Sequence, residues 1–298
     1  MRKALYVNTV CQCNKIYGEK TFHPLVSIID LSTAGSEHSK LLKVGFYTII
    51  FKEYGYGHST FGHKDCDYSD GSVIFLAPGE LLEMENSNII SASGDWMLVF
   101  HPELIHNTSL DMHIRDYTFF NYNNKETLHI SQREKAILIR CLENINEELQ
   151  RPIDKYSRTL IAKSIELLLD YCTRFYDRQF ITRNEENKNL MKKTERIIND
   201  YFTNNIIKTK GLPSMKYCAE LLGLSIAYFA DLLKWETGQT MLEYVESKRI
   251  EIAKKWLLKT NKTIPQVACG LGFSSPEYFN QLFERATGST PGDYKSPS

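Results

Sequence analysis

The chain has 298 residues, enough for two domains with real cores, and its 42% hydrophobic and 24% charged residues are ordinary for a globular protein. Lys/Arg and Asp/Glu balance at 36 each, so the whole-chain charge of zero argues against a uniformly basic nucleic-acid binder. There is no run of 18 apolar residues and no apolar stretch after Met1-Arg-Lys-Ala-Leu-Tyr6, so neither a membrane helix nor a signal peptide is expected. The seven cysteines are odd in number and scattered, which fits structural thiols in a reducing cytoplasm better than a disulfide framework. Cys11-Gln-Cys13 is too tight a pair for a usual zinc site.

The zero charge hides an asymmetry. From Leu190 onward there are 15 Lys/Arg and 11 Asp/Glu, a net of +4, and the preceding part carries −4 and all eight histidines. A mildly basic end beside a mildly acidic one suits a nucleic-acid-binding module and a separate control module. The surplus is small, so electrostatic affinity should be modest.

Residues 1 to 125 read as β-rich. Leu25–Asp30, Phe46–Phe51, Val73–Ala77, Trp96–Phe100 and Ile114–Phe120 are short runs rich in β-branched and aromatic residues. Asp70-Gly71 and Pro78-Gly79 are turn signals. Many short strands at this spacing predict a small barrel or sandwich. Two helices follow, over 131–150 and 155–177. Ser131 with Glu134 starts the first as a capping box, and Pro152 breaks the pattern between them. Ile137, Leu138, Cys141, Leu142, Ile145 and Leu149 form one apolar face, and Leu160, Ile161, Ile165, Leu168, Leu169 and Cys172 the other. Surplus apolar surface on this hairpin would favour a two-fold dimer. Residues 178–188 are polar and aperiodic, which places a linker near 181–189, and a helix is expected from Leu190 to Phe202.

The last stretch is one unit written twice. Cys218-Ala-Glu-Leu-Leu-Gly-Leu-Ser225, Tyr228-Phe229 and Thr237-Gly238 recur as Val267-Ala-Cys-Gly-Leu-Gly-Phe-Ser274, Tyr278-Phe279 and Thr287-Gly288. The offset is 49 before the turn and 50 after it, so the second turn holds one extra residue. Each copy reads as helix, tight turn, helix. Gly223 and Gly272 end the first helix, and Ser225 and Ser274 are placed to cap the second. Ser274-Ser-Pro-Glu277 also fits a capping box with Pro276 in the first turn. Phe229, Leu232 and Leu233, like Phe279, Leu282 and Phe283, form the inward stripe. A helix over Thr240–Leu258 joins the copies.

Two such units in tandem resemble the AraC-type (AraC/XylS) family of bacterial transcription regulators. Tyr228 to Gly238, Arg249-Ile-x-x-Ala253, Ile264 to Phe273, Tyr278-Phe-Asn-Gln-Leu-Phe283 and Thr287 to Tyr294 carry the resemblance, which covers about the last 110 residues. It implies an α+β protein: an N-terminal cupin-like β-barrel with a helical hairpin (1–180), a linker (181–189) and an all-α tandem helix-turn-helix domain (190–298). It further implies double-stranded DNA as partner, a small-molecule effector in the barrel, RNA polymerase as a further partner, and a cytoplasmic homodimer.

Base readout needs hydrogen-bonding side chains on the outer face of a helix that fits the major groove. In the second copy those positions are Glu277, Asn280 and Gln281, with Arg285, Ser274 and Ser275 placed for phosphates. In the first copy they are Ala227, Ala230 and Asp231, with Tyr228 and Lys234 nearby. Alanine offers only methyl contact and Asp231 repels phosphate, so the second copy is expected to carry most sequence specificity. Glu284 stands where the family usually has a basic residue, which removes a phosphate contact that Lys234 retains in the first copy. His23, His38, His58, His63 and His101 contain no His-x-His pair with a nearby acid, so structural histidines are expected rather than a metal site. No nucleophile-base pair or phosphate loop occurs, and no catalytic residue, metal or cofactor is expected. Two alternatives stay open: a constitutive dimeric DNA-binding protein, and a metal-dependent cupin enzyme with a DNA-binding tail.

Overall fold

The computed structural model describes residues 4–32, 41–53, 67–83 and 94–295. The chain divides into two compact units, Met1–Arg183 and Asn184–Ser298.

The first unit opens with β1 (Leu5–Val7) and α1 (Val10–Tyr17). Thr9 and Gln12 form a reciprocal capping box at the start of α1, and Gly18 closes it in the left-handed region. The strands that follow are β2 (Val26–Asp30), β3 (Leu41–Val44), β4 (Tyr47–Lys52), β5 (Gly71–Leu76), β6 (Leu81–Glu83), β7 (Trp96–Phe100) and β8 (Leu128–Ile130). They form two sheets, β1-β3-β6 and β2-β7-β4-β5-β8. Every pair is antiparallel except β1 with β3. The expected barrel is therefore corrected: among the described residues the strands make two open sheets. The larger sheet is covered by helices on one face and by α1 and the small sheet on the other, so its strands need not close on themselves to bury both faces.

Side-chain alternation makes this visible. In β7, Leu98 and Phe100 join the core under the helices, whereas Met97 and Val99 join the core under the small sheet. Ile49 and Phe51 of β4 go one way and Ile50 the other. A strand buried on both faces reads as a continuous apolar run, as Trp96–Phe100 does. Gly71 is required by close packing: a Cβ there would sit 2.5 Å from the Phe51 ring. Gly71→Ala is expected to cost about 1–3 kcal/mol through overpacking, measured by urea unfolding.

The helical layer comprises α2 (Pro102–Ile105), α3 (Ser109–His113), a 3-10 turn at Thr118–Asn121, α4 (Gln132–Leu149) and α5 (Ser157–Thr182). Ser131 and Glu134 form the expected capping box at α4. Ile114–Phe120 is not a strand, contrary to expectation. Its apolar residues do not alternate with polar ones, and the helical turn seats Phe119 against Phe75 and Tyr176 instead. The end of α5 is tied down by charge. Arg183 grips Asp67 with two hydrogen bonds, of 2.9 and 2.5 Å, and both side chains are almost fully buried. Gln179 accepts from the His129 amide and donates to the Thr127 carbonyl. Arg178 pairs with Glu134 at the cap of α4.

The second unit is all helical: α6 (Asn184–Thr203), α7 (Ile207–Lys210), α8 (Met215–Leu222), α9 (Ile226–Thr237), α10 (Met241–Lys259), α11 (Ile264–Gly270), α12 (Pro276–Thr287) and α13 (Pro291–Lys295). Residues 181–189, expected as a linker, are helical except at Arg183. Their polarity is compatible with an exposed helix, and Glu185 and Glu186 in the first turn of α6 suit its positive end. One apolar core unites both copies of the repeat with α6 and α10. Phe229, Leu233, Phe279 and Phe283 lie at its centre with no exposed surface.

The turns follow the sequence closely, with one correction. Gly223 closes α8 at φ +69°, and Ser225 caps α9 by accepting from the Tyr228 amide. In the second copy Gly272 takes φ +70°, but the cap of α12 is Ser275, not Ser274. The extra residue in that turn moves the capping position on by one. Glu277 then falls second in the helix, so the expected capping box with Ser274 does not form.

Candidate nucleic-acid interface

The two second helices of the repeat, α9 and α12, turn their apolar stripes inward and leave complementary outer faces. On α12, Glu277, Asn280, Gln281 and Arg285 are all exposed, and the first three share one face. Ser274 is exposed ahead of the helix, and Ser275 is half-buried because its hydroxyl accepts from the Tyr278 amide. The Glu277 carboxylate lies below its usual pKa range because its own amide and the Ser275 hydroxyl donate to it. It is therefore ionised at neutral pH and partly engaged in fixing the helix start.

The outer face of α9 differs. Ala227 and Asp231 are half-buried, and Lys234 is exposed. Lys234 Nζ donates to the Gly238 carbonyl at 2.9 Å, closing the C-terminal end of its own helix. Tyr228 is only 3% exposed, whereas its counterpart Tyr278 is 41% exposed. The structure thus brings Glu277, Asn280 and Gln281 together on an open face, and places Tyr228 in the core.

Sequence reading missed the starts of the first helices of each copy. Ser214 caps α8 and Thr263 caps α11, the latter in a full capping box with Gln266. Cations sit beside both: Lys210 lies over the Tyr217 ring, and Lys262 lies 3.4 Å from the Trp256 ring centre. Ser214-x-x-Tyr217 and Thr263-x-x-Gln266 were readable as caps.

Arg249, in the middle of α10, is 3% exposed. Its Nε donates to the Leu271 carbonyl at 2.8 Å, and its guanidinium lies 3.6 Å from the centre of the Phe273 ring. Burial lowers its pKa from the usual value, and Glu246 opposes that shift.

The histidines of the first unit are accounted for locally where they are described. His23 Nδ1 accepts from the Leu25 amide, and His101 caps α2. Among the described residues no group of three or more His, Cys, Asp or Glu side chains is arranged to hold a metal ion. His38, His58 and His63 lie outside the described residues. No described helix is long and apolar enough to cross a membrane.

A family model described as a helix-turn-helix domain matches residues 218–296. The bifunctional transcriptional activator/DNA repair enzyme AdaA of Bacillus subtilis is 31% identical over 102 residues, which is 34% of this chain and 47% of that protein. The HTH-type transcriptional regulator YfiF of Bacillus subtilis is 22% identical over 262 residues, 86% of this chain and 78% of that protein. Among solved structures, the C-terminal domain of the response regulator yesN of Fusobacterium nucleatum is 27% identical and covers 36% of this chain and 99% of its own, with a TM-score of 0.30. The chain spans less than half the length of the first curated relatives it matches, 47% of one and 34% of the next. The C-terminal unit is a tandem helix-turn-helix module of the DNA-binding kind. More narrowly this module is of AraC type: over 77 residues it is 34% identical to an AraC-like transcription regulator of Streptomyces lividans, a match that covers 26% of this chain and 25% of that protein.

Proposed function

We propose that this protein is a sequence-specific, double-stranded-DNA-binding transcription regulator and not an enzyme. The observation that carries this reading is the pairing of two capped helices, α9 and α12, in one core with their polar or small faces outward. Asn280 and Gln281 suit adenine bidentately, and Glu277 accepts from cytosine. Arg285, Ser274, Ser275 and the amides near them hold phosphates, joined by the starts of α8 and α11 with Lys210, Lys216 and Lys262. Ala227 offers methyl contact, Asp231 limits phosphate approach, and Tyr228 and Lys234 shape α9 itself. The second copy therefore carries most of the specificity. With α10 as a shared rod, the two helices address successive major grooves, roughly 34 Å apart.

In the first unit, Leu160 and Leu167 are exposed on α5, as are Ile153 and Tyr156 just before it, and these apolar residues support a homodimer. A cupin-like ancestry fits two apposed sheets. A small-molecule effector there acts only by binding one arrangement of the protein better than another. A second reading has a specific support: the layer between the sheets is filled by Val7, Phe46, Ile50 and Met97, none more than 5% exposed. That favours a constitutive dimeric DNA binder, with RNA polymerase as the remaining partner. A cytoplasmic location goes with either reading.

The test is selection of genomic DNA fragments by the full chain at two salt concentrations. The expected outcome is a motif of two blocks about ten base pairs apart. Affinity should weaken as salt rises, with the shallow slope of few phosphate contacts. Absence of any motif would sink the reading. A thermal-shift screen with cell metabolites separates effector control from the constitutive form.

A further inference from the structure

We infer that Arg249 is a positioning residue for DNA readout: it fixes the second recognition helix against the α10 rod without touching DNA itself. The inference rests on the regulator reading above and adds a residue that faces the core.

The argument starts at the end of α11. The last carbonyls of a helix lack intrahelical partners, and a buried one needs a donor from elsewhere. Leu271 is fully buried, and its carbonyl receives the Arg249 Nε hydrogen. A planar guanidinium can donate in its plane and stack through its face, which an ammonium cannot do. Arg249 donates to Leu271 and sits over the Phe273 ring. Phe273 in turn packs on Phe279 at 4.9 Å, and Phe279 on Phe283 at 5.5 Å. One side chain of α10 is thus linked by direct contact to the inward stripe of α12. The opposite side of the same turn is closed by α7, because a Cβ on Gly272 would come within 2.2 Å of Ile207 Cδ1.

The turn of the first copy is built differently. It reads Leu222-Gly223-Leu224, contains no aromatic residue, and a Cβ on Gly223 would meet nothing within 4 Å. The copy with the polar reading face is also the copy whose turn is clamped from two sides. Hydrogen-bond readout tolerates little displacement of the reading helix, so a braced helix suits Asn280 and Gln281, whereas methyl contact from Ala227 asks less.

The test compares the full chain with Arg249→Met and Arg249→Lys. Amide hydrogen exchange in Arg249→Met should speed by about tenfold or more across residues 271–283, with 226–237 unchanged. In a base-by-base binding scan, discrimination under the block read by α12 should fall by about tenfold, with the other block and non-specific affinity unchanged. Arg249→Lys should fall between, since it keeps the charge but not the planar guanidinium. Exchange that is unchanged in 271–283, or that rises equally in 226–237, would overturn the proposal. Should Arg249→Met not fold, Arg249→Lys carries the same two outcomes. If the unaltered protein selects no two-block site, the regulator reading fails, and the exchange comparison alone decides the role of Arg249.

Discussion

Asp67→Ala is expected to cost the N-terminal unit about 3–5 kcal/mol. The carboxylate is fully buried and held by two hydrogen bonds from Arg183, itself 5% exposed. Removing one partner leaves a guanidinium in a low-dielectric site without its counter-charge, and that desolvation dominates the loss. The pair as a whole is worth much less than either truncation suggests. The double replacement Asp67→Leu with Arg183→Met should therefore recover most of the stability lost by Asp67→Ala. Urea unfolding of the full chain provides both numbers. A single-variant loss below about 1 kcal/mol would mean that the pair is screened as a surface bridge is. Because Arg183 directly follows α5, local exchange should also rise in the last turn of that helix.

The second large effect belongs to the reading face. Asn280→Ala and Gln281→Ala should each cost about 1–3 kcal/mol at an adenine-containing step, or roughly tenfold or more in affinity for the selected site. The same variants should leave non-specific binding intact, since neither removes a charge. Arg285→Ala should behave in the opposite way, weakening binding to all sequences and lowering the salt slope by about one. Competition with unrelated DNA, measured at two salt concentrations, distinguishes the two patterns. Equal losses on specific and unrelated DNA for Asn280→Ala would remove it from base readout.

Much of the second unit was legible because its signals are local. Gly223, Gly272 and Ser225 sit where backbone geometry demands them, and the i, i+3, i+4 stripes of α9 and α12 return as the buried core. Ser275 rather than Ser274 caps α12 because the inserted residue raises the offset between the copies from 49 to 50 before the cap is reached. The brace at Arg249 was not legible in the same way, since its partners lie 22 and 24 positions away and only the packed fold joins them. The first unit was read less well. Strands β1, β3, β6 and β8 have three or four residues each, too few for alternation to register. Ile114–Phe120 has the composition of a strand but the job of a plug, and composition cannot separate the two. The division between the units falls at Arg183/Asn184, inside the expected 181–189, but the segment is helical, because polar, aperiodic sequence is equally compatible with an exposed helix.

The two-faced burial of β7 also bears on how this chain comes to be folded. In most strands a shift of one residue would expose apolar groups and bury polar ones, and that penalty polices the pairing. Trp96–Phe100 has no polar residue to misplace: Met97 and Val99 could exchange places with Leu98 and Phe100 at little cost in polarity. Correct register must come from shape and from the neighbours β2 and β4, which both pair along its full length. Until those neighbours are in place, a nascent chain presents an uncharged, sticky pentapeptide to whatever it meets. The yield of soluble protein during synthesis is thus expected to be set at this strand, well upstream of the module that meets DNA.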